Sequence, residues 1–230
     1  MGDSKQALIV AVPRYELEEE FPDLTAAVDR DAELIGAALR SSGYSVEVLG
    51  LAPDKPAQRS RVRSAVSRIC CTAPEDGTVL VHFTGHGLSV GGADHLVPSD
   101  AQLSWAADPP EVALDSLIDL DLASLLQGCR AGTVLLTVDA CRDPADPDGG
   151  SHGGRATVFP AGHDRVAVLF GCGPGQTCGS DDEAGSHFTR ALAEALDADT
   201  SPRTVAEVIE YTTARTAELA RAARHQQTPT

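Results

Sequence analysis

Aromatic residues are scarce in this chain of 230: they make up 4%, with one Trp, three Tyr and five Phe. A core built from such a sequence rests on Ala, Val and Leu. Basic residues are also few, 18 Lys and Arg against 34 Asp and Glu, for a net charge of −16. Phosphate backbones are bound by clustered Lys and Arg, so the charge excludes nucleic acid as the main partner. It argues equally against an anionic membrane surface. A basic substrate fits that balance, and so does plain solubility. No apolar run reaches the ~18 residues of a transmembrane helix. The N-terminal apolar stretch runs into Arg14 without a small-residue cleavage site, so no signal peptide is predicted. None of the six cysteines (Cys70, Cys71, Cys129, Cys141, Cys172, Cys178) forms a C-x-x-C zinc pair. A cytoplasmic location is expected, where they remain thiols.

What is present is a regular alternation of strand and helix patterns. Short apolar runs at residues 7–12, 44–49, 78–84, 133–140 and 165–171 read as strands. Helical spacing covers residues 23–39, 57–69, 115–126, 186–196 and 204–224. Residues 85–100 are Gly-rich and predict a loop with a small hairpin. Residues 142–164, rich in Gly, Asp and Pro, predict a long polar loop, a feature of functional or unfolded segments. Alternating β and α units predict a mostly parallel sheet with helices on both faces. No repeat or linker divides the chain, so residues 1–230 are expected to form a single domain.

In such sheets the ligand crevice lies at the carboxyl ends of the strands. The third strand runs into Thr84-Gly85-His86-Gly87 and the fourth into Asp139-Ala140-Cys141-Arg142. A His and a Cys delivered to one sheet edge permit a nucleophile–base pair. For an isolated Cys the ordinary reading is a small buried hydrophobe; placement of both residues at strand ends favours chemistry. Asp139, two residues before Cys141, would raise the thiol pKa by repulsion, so its expected role is to hold a cationic substrate side chain. The plainer alternative is a solvated strand-end carboxylate.

These motifs, in this order, resemble the caspase and metacaspase superfamily of cysteine peptidases, and the bacterial metacaspase-like members more than the animal caspases. The His precedes the Cys by 141 − 86 = 55 residues, near the spacing known for caspases. The resemblance extends over Asp31-Ala32, His95-Leu-Val-Pro-Ser-Asp100, Gly171-Cys-Gly-Pro-Gly-Gln176 and Ser186-His-Phe-Thr-Arg-Ala-Leu192, spanning about residues 7–229. It implies a three-layer α/β/α sandwich and a cysteine endopeptidase with His86 and Cys141 as dyad. The backbone N–H groups of Gly87 and Cys141 would form the oxyanion hole. Asp31 and Asp139 would bind the substrate's basic residue, Arg before Lys, and Cys178, Gly179 and Ser180 would lie along the peptide. Animal caspases carry an Arg where this chain has Ser180 followed by Asp181-Asp182-Glu183, a departure that again favours cationic substrates. Loops like residues 142–164 regulate relatives by cleavage or ordering. Self-cleavage after Arg155 or Arg165 and an activating ligand or protein of unknown identity are therefore expected.

Competing patterns fall short. Gly87-Leu-Ser-Val-Gly91 matches a nucleophile elbow, but no helix follows Ser89. His82 and His86 share a strand face roughly 13 Å apart, too far for one metal; His82 is expected to be an interior residue with a hydrogen-bond partner. No cofactor is required. Calcium, which many metacaspases need, remains a weak candidate at the acidic run 143–149, which lacks EF-hand spacing. A catalytically silent caspase-like interaction module is the alternative to an enzyme. Relatives continue into a further strand beyond Thr230, so the chain is open to being a fragment of a longer protein.

Overall fold

The computed structural model describes residues 4–90, 93–106, 108–120, 128–142, 165–181, 183–197 and 204–230. Five strands, β1 (Lys5–Ala11), β2 (Ser45–Leu49), β3 (Thr78–Thr84), β9 (Thr133–Asp139) and β10 (Val166–Phe170), form one parallel sheet in the order β10-β9-β3-β1-β2. Between them come α1 (Thr25–Ser41) and α2 (Arg59–Thr72), and after them α3 (His187–Leu196) and α4 (Val205–Ala222).

The three layers follow from strand alternation. Leu8, Val10 and Val12 of the β1 run point to one face, with Val62, Val66 and Ile69 of α2. Ala7, Ile9 and Ala11 point to the other, with Val28, Ile35 and Leu39 of α1, Phe188 and Leu192 of α3 and Val208 of α4. Burial on both faces is why the strands read as continuous apolar runs. The fold is an α/β/α sandwich, as expected.

The Gly-rich stretch forms the hairpin β4 (Gly87–Val90) and β5 (Ala93–Leu96), joined by β8 (Ile118–Asp119). Two short strands, β6 (Leu103–Ser104) and β7 (Glu111–Val112), pair beside it. The helix expected over 115–126 does not form in its described part: a 3-10 turn at Leu114–Ser116 leads into β8. Pairing of Ile118 with Leu96 buries Leu117, Ile118 and Leu120, so apolar spacing that suits a helix is used in extended form. A last pair, β11 (Ser180–Asp181) and β12 (Gly185–Ser186), precedes α3. The tail returns beside β10, where Phe170 and Thr230 exchange N–H···O bonds of 2.8 and 3.1 Å.

Candidate active site

Parallel pairing of β3 with β9 sets Thr84 opposite Asp139, so the chain leaves both strands at the same sheet edge. Gly85 N–H donates to Asp139 O at 3.2 Å. Gly87 then lies on the backbone that carries Cys141. A Cβ at position 87 would stand 2.6 Å from Cys141 O and 2.9 Å from Ala140 Cβ, which requires glycine after His86.

His86, between these two glycines, is held from several sides. Its N–H donates to Tyr15 Oη at 2.7 Å, and Tyr15 Oη donates to Val12 O at 2.9 Å. The Tyr15 and Phe21 rings lie 4.9 and 5.6 Å from the imidazole. Nε2 is 2.9 Å from Pro22 O. A carbonyl only accepts, so Nε2 carries the proton and Nδ1 is the basic nitrogen of the neutral ring. Burial holds the His86 pKa below the usual imidazole value, against the opposing pull of the Pro22 carbonyl. Cys141 is partly exposed, and its Sγ accepts from Cys178 N–H at 3.4 Å.

Asp31 of α1 and Asp139 of β9 are buried, 2% and 4% exposed. Asp31 accepts from Ser186 N–H at 2.7 Å and Thr84 Oγ1 at 3.0 Å. Asp139 Oδ2 accepts from Ser186 Oγ and from Thr189 Oγ1 at 2.6 Å. Its Oδ1 is buried without a hydrogen-bond partner. Burial, and next the Asp139 charge, push the Asp31 pKa up to about 7. Burial likewise raises Asp139, against hydrogen bonds from Ser186 and Thr189.

A family model described as caspase domain matches residues 4–230. The chain belongs to the caspase domain family. Among solved structures it is similar to the crystal structure of caspase-1 from Spodoptera frugiperda, with a TM-score of 0.67 over 99% of this chain and 85% of that one. Identity there is 18%, so the likeness speaks for the fold. No curated protein matches.

Within this caspase domain, Cys178 adjoins Cys141, Gly179 follows it, and Ser180 lies exposed on β11. Gly179 N–H donates to Gln227 Oε1 at 3.0 Å and its carbonyl accepts from His187 N–H at 3.0 Å, so its backbone is engaged internally. Arg165 sits at the amino end of β10, the opposite end of the sheet from Cys141, with Nη1 2.7 Å from Ala131 O. Arg155 and the acidic run 143–149 lie outside the described residues. Among the described residues no group of three His, Cys, Asp or Glu is placed to hold a metal ion, and no helix is long and apolar enough to cross a membrane.

Several residues of this site carry no sequence signal of their own. Tyr15 and Phe21 enclose His86 from a loop after β1. Ser186 was legible only as a helix start, yet it contacts both carboxylates. Arg142, next to Cys141, is buried against Asp94, with Nη2 2.6 Å from Oδ2, and lies 4.3 Å from the Phe170 ring centre. His82, by contrast, is the interior strand residue the sequence indicated, bonded to Thr137 Oγ1 at 2.9 Å and Thr189 Oγ1 at 3.2 Å. Burial lowers its pKa to about 3, which keeps it neutral.

Proposed function

We propose that this caspase domain is a cysteine endopeptidase that cleaves after basic residues, Arg before Lys, with Cys141 as nucleophile and His86 as general base and acid. In this reading the Cys141 thiol passes its proton to His86 Nδ1 and the thiolate attacks the scissile carbonyl. The imidazolium then gives the proton to the leaving amine, and water hydrolyses the thioester. The N–H groups of Gly87 and Cys141 would hold the oxyanion. Cys178 and Ser180 would pair with the peptide, since the backbone of Gly179 is engaged with Gln227 and His187. The long segment after Cys141 would gate activity by cleavage or by ordering on a signal, with Arg155 and Arg165 as cleavage points. Because Arg165 lies at the far end of the sheet, a cut there is expected between molecules.

One observation carries the specificity: Asp31 and Asp139 are buried together beside the end of β9, and Asp139 Oδ1 has no partner. Two carboxylates in one low-dielectric site repel, and a bound cation relieves that repulsion. The planar fork of Arg can bond both, which a Lys ammonium does less well. The test is a matched set of fluorogenic peptides differing only at the residue before the cut. Arg is expected first, Lys second and Asp inert. Asp139→Asn keeps the shape of the side chain and removes its charge. It is expected to lower kcat/KM for Arg peptides about 30- to 4,000-fold, while Cys141 still reacts with a small alkylating agent. A preference for Asp peptides would overturn the reading.

A further inference from the structure

Past α4 the chain turns back along the candidate active site. Arg224 stands at a φ of 58°, in the left-handed region that commonly ends helices. The segment 225–230 then runs beside the loop after β10, with Gln227 and Pro229 buried and Gln226, Thr228 and Thr230 exposed. It fastens that loop repeatedly. His225 Nε2 donates to Thr177 O at 3.0 Å, and Thr228 N–H donates to Gln176 Oε1 at 3.0 Å. Gln227, 3% exposed, uses both ends of its amide: Oε1 accepts from Gly179 N–H at 3.0 Å, and Nε2 donates to Gly171 O at 2.8 Å. Gly171 is itself packed on the site. A Cβ there would stand 3.2 Å from Asp139 Oδ1 and 3.2 Å from Cys178 Sγ.

The bridge bears on which way residues 178–180 face. Gly179 is turned inward, its N–H on Gln227 and its carbonyl accepting from His187 N–H at 3.0 Å. A Cβ at position 179 would stand 2.8 Å from both the His187 and His225 rings, so glycine lets the segment lie against them. The bond from His187 spans the Ser180–Ser186 pair, which makes that pair the non-hydrogen-bonded kind. Ser180 therefore points its own N–H and C=O away from β12. Cys178 N–H faces Cys141, 3.4 Å from its sulfur. We propose that Gln227 is a positioning residue for peptide binding: by holding Gly179 inward it aligns the Cys178 and Ser180 backbone as the edge on which a substrate chain pairs. What the edge binds rests on the peptidase reading; what holds it is given by these contacts. A neutral amide suits the task, since one end accepts and the other donates, whereas a carboxylate only accepts and an ammonium only donates.

The test uses the full chain carrying Cys141→Ala, so that binding is read without turnover. A fluorescein-labelled peptide with Arg at the cut position is titrated by fluorescence anisotropy. Gln227→Met, close in length but without the amide, is expected to weaken binding about tenfold, the scale of one lost backbone partner. Thr230→Val removes the contact of Thr230 Oγ1 with Arg142 Nη1, 3.1 Å, and leaves Gly179 untouched. Its affinity is expected to stay within about twofold of the parent, as for a change away from the edge. With Cys141 restored, Gln227→Met is expected to raise KM about tenfold and leave kcat nearly unchanged, the signature of lost binding. Hydrogen exchange on the parent chain needs no Gln227 variant to fold. It is expected to show Gly179 N–H protected, and Ser180 N–H exchanging quickly until the peptide is added. Undiminished binding by Gln227→Met, or a Gly179 N–H that exchanges quickly, would overturn the proposal alone. A parent chain that binds no Arg peptide would overturn the peptidase reading and the proposal with it.

Discussion

Asp31 and Asp139 meet at Ser186, whose N–H donates to the first carboxylate at 2.7 Å and whose hydroxyl donates to the second. The contact ties α1, the end of β9 and the start of α3 into one polar knot inside an apolar sandwich. Ser186 also caps α3 by accepting from Thr189 N–H, so the same residue starts the helix and aligns the two acids.

The knot makes stability fall with rising pH. Asp31 is raised from 3.8 to about 7, so the folded protein keeps a proton that the unfolded chain has released above about pH 4. Its contribution is complete below about pH 4 and is lost as pH climbs to about 7. At roughly 1.4 kcal/mol per pKa unit the loss approaches about 4 kcal/mol. Asp139→Asn removes the neighbouring charge and is expected to flatten this slope. Denaturant unfolding at several pH values, wild type against variant, measures it; equal slopes would refute the coupling.

The proposed dyad of His86 and Cys141 is expected to behave as a unit. Cys141→Ala and His86→Ala should each abolish peptide cleavage while leaving the fold intact by circular dichroism. The double variant should be hardly worse than either single one, because each residue is useless without the other. Substantial turnover by Cys141→Ala would remove Cys141 from the mechanism.

Tyr15 is expected to act as a positioning residue for His86. Tyr15→Phe keeps the ring contact but leaves the partly buried His86 N–H without its acceptor and the buried Val12 carbonyl without its donor. Orphaned buried groups cost about 1–3 kcal/mol in stability. A drop in kcat with little change in KM is the expected kinetic signature, together with a shifted His86 midpoint in the pH–rate profile. A loss of stability alone, with kcat and its pH profile unchanged, would assign Tyr15 a purely structural role.

Arg142 and Asp94 form a buried ion pair one residue beyond Cys141. Arg142→Met removes the cation that faces the buried Asp94 carboxylate and is expected to destabilise by about 3–5 kcal/mol, whereas Arg142→Met with Asp94→Leu should recover most of that loss. Thermal and chemical unfolding of the three proteins decide the point. An uncoupled, additive result would mean that Arg142 acts through its other contacts, with Phe170, Thr230 Oγ1 and Cys172 O.

Local pattern made the sandwich legible. The apolar runs that became β1, β3, β9 and β10 are continuous because both faces of a parallel sheet are covered, and helix spacing over α1, α3 and α4 repeats every three to four residues. His86-Gly87 and Asp139-x-Cys141 stood out because each follows such a run, and carboxyl strand ends are where an α/β sheet exposes its residues. The same reasoning failed over 115–120, where spacing compatible with a helix was recruited as an edge strand by Ile118 pairing with Leu96.

Tertiary structure alone decided which distant groups meet. Nothing in the spacing of Tyr15, Asp94, Ser186 or Gln227 says that they would reach His86, Arg142, the two aspartates and Gly179. Those contacts come from the order in which β9, β3 and β1 lie side by side and from where α1 and α3 cross them. Periodicity reports how a segment meets water and core, and it is a property of neighbours along the chain. A buried carboxylate, imidazole or thiolate takes its charge state from whatever the fold sets within a few ångströms, most of it far away in sequence.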